Sequence, residues 1–186
     1  RLHGRVYRFR RCTMLTLLQG TVMAIALLRL AELIHANRNT TRLIARGGVE
    51  FGRKHYPLFV LLHGSWLASL LLVVPAEAKA SIELLALFVL LQFCRLWVIV
   101  SLGPYWTTRV ISGPHFPVVR RGPYRIMKHP NYAVVCAEIA VLPLAFGAWE
   151  LALFFSALNV VLLYWRIKIE TAAIAARRSD TSDIVC

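Results

Sequence analysis

The chain has 186 residues and is both too apolar and too basic for an ordinary soluble domain. Hydrophobic residues make up 58% of it and charged residues 17%, against about 45–50% and about 25% in soluble domains. This apolarity excludes a disordered chain. The net charge of +13 would suit a nucleic-acid-binding domain, but such a domain does not need long apolar runs with few charges. A basic membrane protein without a nucleic-acid partner fits both properties, because cationic loops can lie against anionic lipid.

Five apolar segments are candidate membrane-spanning helices, since a bilayer core of about 30 Å requires about 20 helical residues. They cover residues 14–34, 57–75, 82–102, 132–149 and 151–165. The fifth is the shortest and is marginal for crossing alone. It follows the fourth almost directly, and Gly147 can make the turn between them. We therefore predict an all-α, polytopic integral membrane helix bundle of about five transmembrane segments that ends in a helical hairpin.

Cations indicate how this bundle is oriented. Outside the first 13 residues most of them lie in three connections, at 35–56, at 103–130 and after 165. The positive-inside rule places all three on the cytoplasmic side, opposite the short 76–81 connection. The basic arm at 1–13 does not follow this pattern, and two interpretations stay open. Either natural translation begins at Met14, or the arm lies on the membrane surface; residues 14–186 are predicted to form a single domain.

The four cysteines do not form a recognisable site. No two of them are spaced as Cys-x-x-Cys, and two lie inside apolar segments, where cysteine behaves as a small hydrophobic residue. We therefore expect neither a bound metal nor a disulfide framework.

Charged residues inside the apolar segments need partners, because each costs about 2.5–3.5 kcal/mol at the centre of an inserted helix. Arg29 and Glu32 are three residues apart and can neutralise each other on one helix face. Arg95 lies three residues after Gln92, with no acid nearby in sequence, so its partner is expected on another helix. Glu138 is the obvious candidate. Two interpretations of Arg95 and Glu138 stay open, a structural ion pair and a role in lining a site.

Residues 122–132 combine cations, aromatic rings and a helix start. Pro130 suits the first turn of a helix, so His129 is expected at its N-terminus, where free backbone N–H groups favour an anion. Arg125 and Lys128 add positive charge. The segment predicts a ligand that has a carboxylate and a positive or planar part. The alternative is a basic interfacial loop with aromatic belt residues.

Arg166 and Glu170 lie four residues apart where the last apolar segment ends. The alternative to a site is an ordinary exposed ion pair, worth about 0.2–0.5 kcal/mol. In a five-segment bundle this end lies on the same side as His129, so the two segments can form opposite walls of one site.

These motifs resemble the isoprenylcysteine carboxyl methyltransferase family of integral membrane enzymes. In the C-terminal half the resemblance rests on Pro-Tyr-Arg at 123–125, Lys-His-Pro-Asn-Tyr at 128–132, Glu138, Pro-Leu at 143–144, and Arg166-x-x-x-Glu170. The N-terminal half, with motifs at 29–32 and 55–57, resembles a bacterial branch of that family, and the motif at 106–109 belongs to the same resemblance. That branch includes enzymes implied to O-methylate long-chain alkylpyrones or alkylresorcinols.

The resemblance implies S-adenosylmethionine as cofactor and no metal, with the cofactor site formed by 103–132 and 160–178. The residues expected to bind the cofactor are Tyr124, His129, Pro130, Tyr132, Arg166 and Glu170. The expected catalytic residues are Arg125, Arg166 and Glu170, of which either arginine would orient the acceptor oxygen. Contacts to the acceptor are expected from His63, Arg95, Trp106 and Glu138. The expected location is a bacterial inner membrane, with the active site facing the cytoplasm.

The identity of the acceptor stays open between a carboxylate, as in isoprenylcysteine, and a hydroxyl of an alkylpyrone or alkylresorcinol. Family members commonly have a second acid where this chain has Thr171, and many have a glycine where it has Ala133-Val134, which weakens the case for a prenylated cysteine. Two other functions are considered. One is a membrane NADPH-dependent reductase of the steroid-reductase type, and the other is a non-catalytic scaffold or transporter.

Overall fold

The computed structural model describes residues 16–113 and 116–182, with side chains described as far as residue 173. The basic arm predicted at 1–13 therefore lies outside the described residues. In the described part the chain forms five α-helices, which are α1 (Leu17–Ala45), α2 (Tyr56–Val73), α3 (Ile82–Leu102), α4 (Pro130–Ala145) and α5 (Trp149–Ser182). Short 3-10 helices occur at Arg53–His55, Gly103–Tyr105 and Gly122–Arg125.

Four of the five helices are long and apolar enough to cross a membrane, and α4 is shorter, with 16 residues. At 1.5 Å per residue, α4 is about 24 Å long. The prediction of an all-α polytopic membrane bundle is confirmed. The fifth segment is not the short one, because α5 continues well beyond the apolar run at 151–165.

Helix α1 also extends beyond its apolar segment. It begins at a capping box, in which the Thr16 hydroxyl accepts from the Gln19 backbone N–H and the Gln19 side chain accepts from the Thr16 N–H. It ends at Ala45, just before Gly47, whose φ is +84°. The predicted start of the 35–56 connection is therefore wrong, because the chain from residue 35 to Ala45 is still part of α1. Hydropathy marks where the bilayer ends, whereas the helix ends where glycine breaks it.

A small antiparallel sheet, absent from the sequence prediction, joins two of the cation-rich connections. Strand β1 (Val49–Phe51) pairs with β2 (Val110–Ser112), with Val49 opposite Ser112. At the other end of the bundle, the Ser81 N–H donates to the Ala145 carbonyl at 2.8 Å. Gly147, with a φ of +73°, makes the predicted turn between α4 and α5. The long, cationic connections thus lie at one end and the short ones at the other.

The apolar core lies mainly toward the end with the short connections. Fully buried side chains there include Leu18, Trp66, Leu70, Ile139 and Leu142. A second, smaller core of Ala36, Val98 and Trp106 lies toward the cationic end. Between these two cores the helices line a cavity that is described below as the second cavity.

Candidate active site

A cavity of about 310 Å³ lies at the cationic end of the bundle, and we call it the polar cavity because its lining is more polar than that of the second cavity described below. It is enclosed by the 103–129 connection, the start of α4 and the cationic end of α5, and β2 lines one side of it. It brings together residues that are far apart in sequence, namely Tyr124, Lys128, His129, Asn131, Tyr132, Arg166 and Glu170. Five of the six residues expected to bind a cofactor therefore line one cavity. The sixth, Pro130, is buried behind them as the first residue of α4.

The carboxylate of Glu170 is the centre of this cavity's polar contacts. It accepts a hydrogen bond from the Tyr132 hydroxyl and another from Arg166 Nε at 3.3 Å. His129 Nδ1 lies 3.6 Å from the other carboxylate oxygen. The rings of His129 and Tyr132 stack with their centroids 5.1 Å apart and an interplanar angle of 9°. The segment around His129 and the end of the last apolar segment are thus in direct contact, as the sequence predicts for two parts of one site.

Arg166 is held by groups from several elements. Its Nη1 donates to the Thr108 carbonyl at 2.8 Å, and its Nε donates to the Tyr132 hydroxyl at 2.8 Å. Its guanidinium also lies over the ring of Phe59 in α2, 5.3 Å from the centroid. The side chain is therefore buried and fixed in orientation. The alternative of an ordinary exposed Arg166–Glu170 pair does not apply.

The other predicted arginine lies elsewhere. Arg125 is exposed and lines neither this cavity nor the one described below. Arg125 is the last residue of the short 3-10 helix Gly122–Arg125, and the residue before it, Tyr124, lines the cavity. The two neighbouring side chains therefore point in different directions. Burial and the Glu170 carboxylate raise the pKa of Tyr124 well above its usual value, so its hydroxyl stays protonated at neutral pH.

The N-terminus of α4 is less suited to an anion than the sequence indicates. The N–H groups of Tyr132 and Ala133 both donate to the His129 carbonyl, at 3.1 and 3.3 Å. Pro130 has no N–H group. Most donors of the first turn are therefore already used, and binding of a negative group here depends on side chains such as Lys128.

A second cavity, of about 330 Å³ and mainly apolar, lies deeper in the bundle. All five helices contribute to its wall, and its apolar lining includes Ala26, Leu30, Leu33, Phe59, Val60, Leu67, Val135 and Leu163. Leu30 on α1 and Val60 on α2 line it and are themselves 55% and 43% exposed. The cavity therefore reaches the lipid-facing surface between α1 and α2. His63, Arg95 and Trp106 line it, as expected for residues that contact an acceptor.

Charged side chains form a closed cluster beside this cavity. Glu32 binds Arg29 at 2.8 Å and Arg95 at 2.7 Å, and Glu138 binds the same two arginines at 3.0 and 3.2 Å. Gln92 accepts from Arg29 and donates to Glu138, each at 2.8 Å. Both ion pairs considered from the sequence are present, as parts of one network with no net formal charge. Glu138 lines neither cavity, because these partners surround its carboxylate.

The two cavities share one wall. It consists of Trp106, Thr107, Asn131, Tyr132 and Arg166, each of which lines both. Trp106 is held from behind by Asn39, whose side-chain amide donates to the Trp106 carbonyl at 3.0 Å. In the described part of the chain, Trp106 Nε1 and Asn131 Oδ1 are buried without a hydrogen-bond partner. An unpaired buried polar atom costs about 1–3 kcal/mol, so this donor and this acceptor are suited to a ligand at the wall.

Several residues of the site were not predicted from the sequence. Asn131 was inside a recognised motif but was not selected, although its polar side chain next to His129 and Pro130 was a usable signal. Thr108 contributes through its backbone carbonyl, which no side-chain pattern reveals. Phe59 lies in an apolar segment and looks like any lipid-facing residue.

Comparisons with known proteins agree with this geometry. A sequence model of the "Isoprenylcysteine carboxyl methyltransferase (ICMT) family" matches residues 84–176, a range that includes the whole shared wall. The chain is also similar to the uncharacterized protein YpbQ of Bacillus subtilis (strain 168). The two are 37% identical over 150 residues, which cover 78% of this chain and 89% of the relative. No solved structure matches the chain.

Proposed function

Because this chain belongs to the isoprenylcysteine carboxyl methyltransferase family, and is therefore a membrane methyltransferase, we propose that it transfers a methyl group from S-adenosylmethionine to an oxygen of a lipophilic acceptor. The observation that carries the proposal is the pair of adjoining cavities. One is polar and opens at the cationic end, the other is mainly apolar and reaches the lipid, and they share a single wall. A polar cofactor and an apolar acceptor need such an arrangement.

The residues of the polar cavity suit this cofactor. Glu170 can pair with its amine, and Lys128 or His129 can pair with its carboxylate. The ring of Tyr124, which also lines the cavity, can stabilise a sulfonium. When bound, the cofactor supplies an electrophilic methyl group on a positively charged sulfur. The unpaired Asn131 oxygen, on the wall between the cavities, is an acceptor toward which such a positive group would be oriented.

The residues of the apolar cavity would hold the acceptor and orient its reacting oxygen. Methyl transfer is an in-line displacement, so alignment of oxygen, carbon and sulfur contributes most of the rate. Arg166 is placed for this, since it is rigidly held and lines both cavities. Exclusion of water by the apolar lining favours a reaction that cancels charge. Arg125 is too exposed for the role that its motif suggested.

The first prediction concerns the cofactor. S-adenosylhomocysteine at about 100 times its Kd should stabilise the detergent-solubilised protein by about 2.7 kcal/mol, or a rise in Tm of about 5 °C or more. NADPH should have no effect. Thermal unfolding followed by fluorescence measures both. A rise with NADPH alone would favour a membrane reductase, and no rise with either would favour a scaffold or transporter.

The second prediction concerns orientation in a bacterial inner membrane. The connections at 46–55 and 103–129 carry most of the loop cations, so we expect them and the polar cavity on the cytoplasmic side. Single cysteines introduced as Lys54→Cys and Lys79→Cys, in a background whose native cysteines are replaced by serine, test this. A membrane-impermeant thiol reagent should label residue 79 in intact cells and residue 54 only after lysis. The reverse pattern would place the site outside.

A further inference from the structure

His63 lines the apolar cavity and has one ring nitrogen that no hydrogen bond occupies in the described part of the chain. It lies in the middle of α2 and lines the cavity together with Phe59 and Val60. Its Nδ1 is 2.9 Å from the backbone carbonyl oxygen of Phe59, one helical turn earlier. That oxygen can only accept a hydrogen bond, so Nδ1 carries the hydrogen. In the neutral ring the other nitrogen, Nε2, is then an acceptor with a free lone pair.

Other groups that line this cavity do not offer a free base. Among the described lining residues, the ionisable ones besides His63 are Arg29, Glu32, Tyr56, Arg95, Tyr132 and Arg166. Arginine does not lose its proton in proteins, and tyrosine is protonated at neutral pH. The carboxylate of Glu32 is bound by two guanidinium groups. Nε2 of His63 has no hydrogen-bond partner in the described part of the chain.

His63 lies one helical turn from a residue that contacts the shared wall. The carbonyl that fixes its ring belongs to Phe59, whose own ring contacts the Arg166 guanidinium. One helical turn, about 6 Å along α2, therefore separates the level of His63 from that of Phe59 and its Arg166 contact. A planar head group of the acceptor that binds at the shared wall can therefore reach both His63 and Arg166. Arg29 of α1 and Glu138 of α4 act electrostatically on the imidazole with opposite sign, within a cluster whose formal charges sum to zero.

We propose that His63 Nε2 is the general base of the methyl transfer and that the acceptor group is therefore a hydroxyl, phenolic or enolic, rather than a carboxylate. The inference rests on the proposed function. As the hydroxyl oxygen forms its bond to the methyl carbon, the carbon–sulfur bond breaks and its electron pair stays on sulfur. The hydroxyl proton goes to Nε2, and the resulting imidazolium returns it to water when the product leaves. A carboxylate is already ionised at neutral pH and needs no base.

The test compares two acceptors in two variants. With a long-chain alkylresorcinol, His63→Gln should lower the rate of methyl transfer at neutral pH by about 100-fold or more, the usual contribution of a general base. The loss should shrink as the pH rises toward the ionisation of the phenol. If the native protein also methylates a farnesylated N-acetylcysteine, His63→Gln should change the rate of that reaction by less than about 3-fold. His35→Gln is the matched control and should change neither rate, because His35 is exposed, lines neither cavity, and a glutamine oxygen can keep its contact with the Asn39 amide.

A readout without turnover separates this role from a structural one. A long-chain alkyl nitrophenol, bound together with S-adenosylhomocysteine, should become a phenolate, seen by its visible absorption, at a different pH in the native protein than in His63→Gln, where no imidazole nitrogen can accept the phenol proton. Stabilisation by S-adenosylhomocysteine should be the same in both, which shows that the variant folds. Equal spectra, equal loss with both acceptors, or a native protein that methylates only the carboxylate would overturn the inference. Failure of S-adenosylhomocysteine to bind the native protein would instead overturn the proposed function.

Discussion

Glu170→Gln should weaken S-adenosylhomocysteine binding by about 100-fold while the protein still folds. The substitution keeps the shape of the side chain but removes the negative charge that Tyr132, Arg166 and His129 surround. Hydrogen bonds to a charged group contribute about 1.5–3 kcal/mol each, and every 1.4 kcal/mol is a factor of ten in affinity. The expected loss combines the contact to the cofactor amine with the disturbed orientation of Arg166.

Isothermal calorimetry on the detergent-solubilised variants measures this effect. Glu150→Gln is the matched control, because it removes an exposed acid from the other end of the same helix. His129→Ala should also lose binding, since His129 stacks on Tyr132 and lies beside Glu170. Native affinity in both Glu170→Gln and His129→Ala would show that the cofactor binds elsewhere.

Glu138→Ala should destabilise the protein by about 3–5 kcal/mol, the largest effect on stability that we expect. Glu138 is 3% exposed and neutralises Arg29 and Arg95 inside the bundle. Without it, two guanidinium groups share the single carboxylate of Glu32, and one positive charge is left buried without a counter-charge. Removing one partner of a buried ion pair is costly for this reason.

Chemical or thermal unfolding in detergent measures the loss. The matched comparison is Glu50→Ala, which breaks the more exposed Glu50–Arg109 pair, where the atoms are 3.2 Å apart. Its cost should be about 1 kcal/mol or less. Replacing Arg29 and Glu138 together with leucine should recover much of the loss, because the remaining charges are then balanced. If Glu138→Ala were as stable as the native protein, a buried positive charge without a counter-charge would not have the cost expected here.

The sequence predicts the helices well because each one requires an apolar run. The segment at 82–102 coincides with α3, and Gly147 is the turn that separates α4 from α5. Helix ends are predicted less well, since α1 and α5 continue as polar helices outside the apolar runs. The strands are missed because each has three residues, too few for an alternating pattern.

Within the site, the sequence identifies side chains that belong to a recognisable motif and misses contacts made across the fold. His129, Tyr132 and Glu170 are examples of the first kind. The second kind includes the Thr108 carbonyl on Arg166 and the short contact between Glu32 and Arg95, residues 63 positions apart. Arg125 is expected in the site as a cation of the 122–132 motif, yet neighbours in a 3-10 helix point in different directions and only Tyr124 lines a cavity. Sequence proximity to a motif is thus weaker evidence than a shared cavity.

The pairing of β1 with β2 restricts how the two cavities can open. Strand β2 lines the polar cavity, whereas β1 joins α1 to α2, the helices between which the apolar cavity reaches the lipid. Glu50 in β1 and Arg109 just before β2 add an ion pair to the same junction. A displacement of β2 must therefore either break this pairing or move the α1–α2 connection with it. While the strands stay paired, a movement at the wall of the polar cavity is transmitted to the connection between two helices that line the apolar cavity.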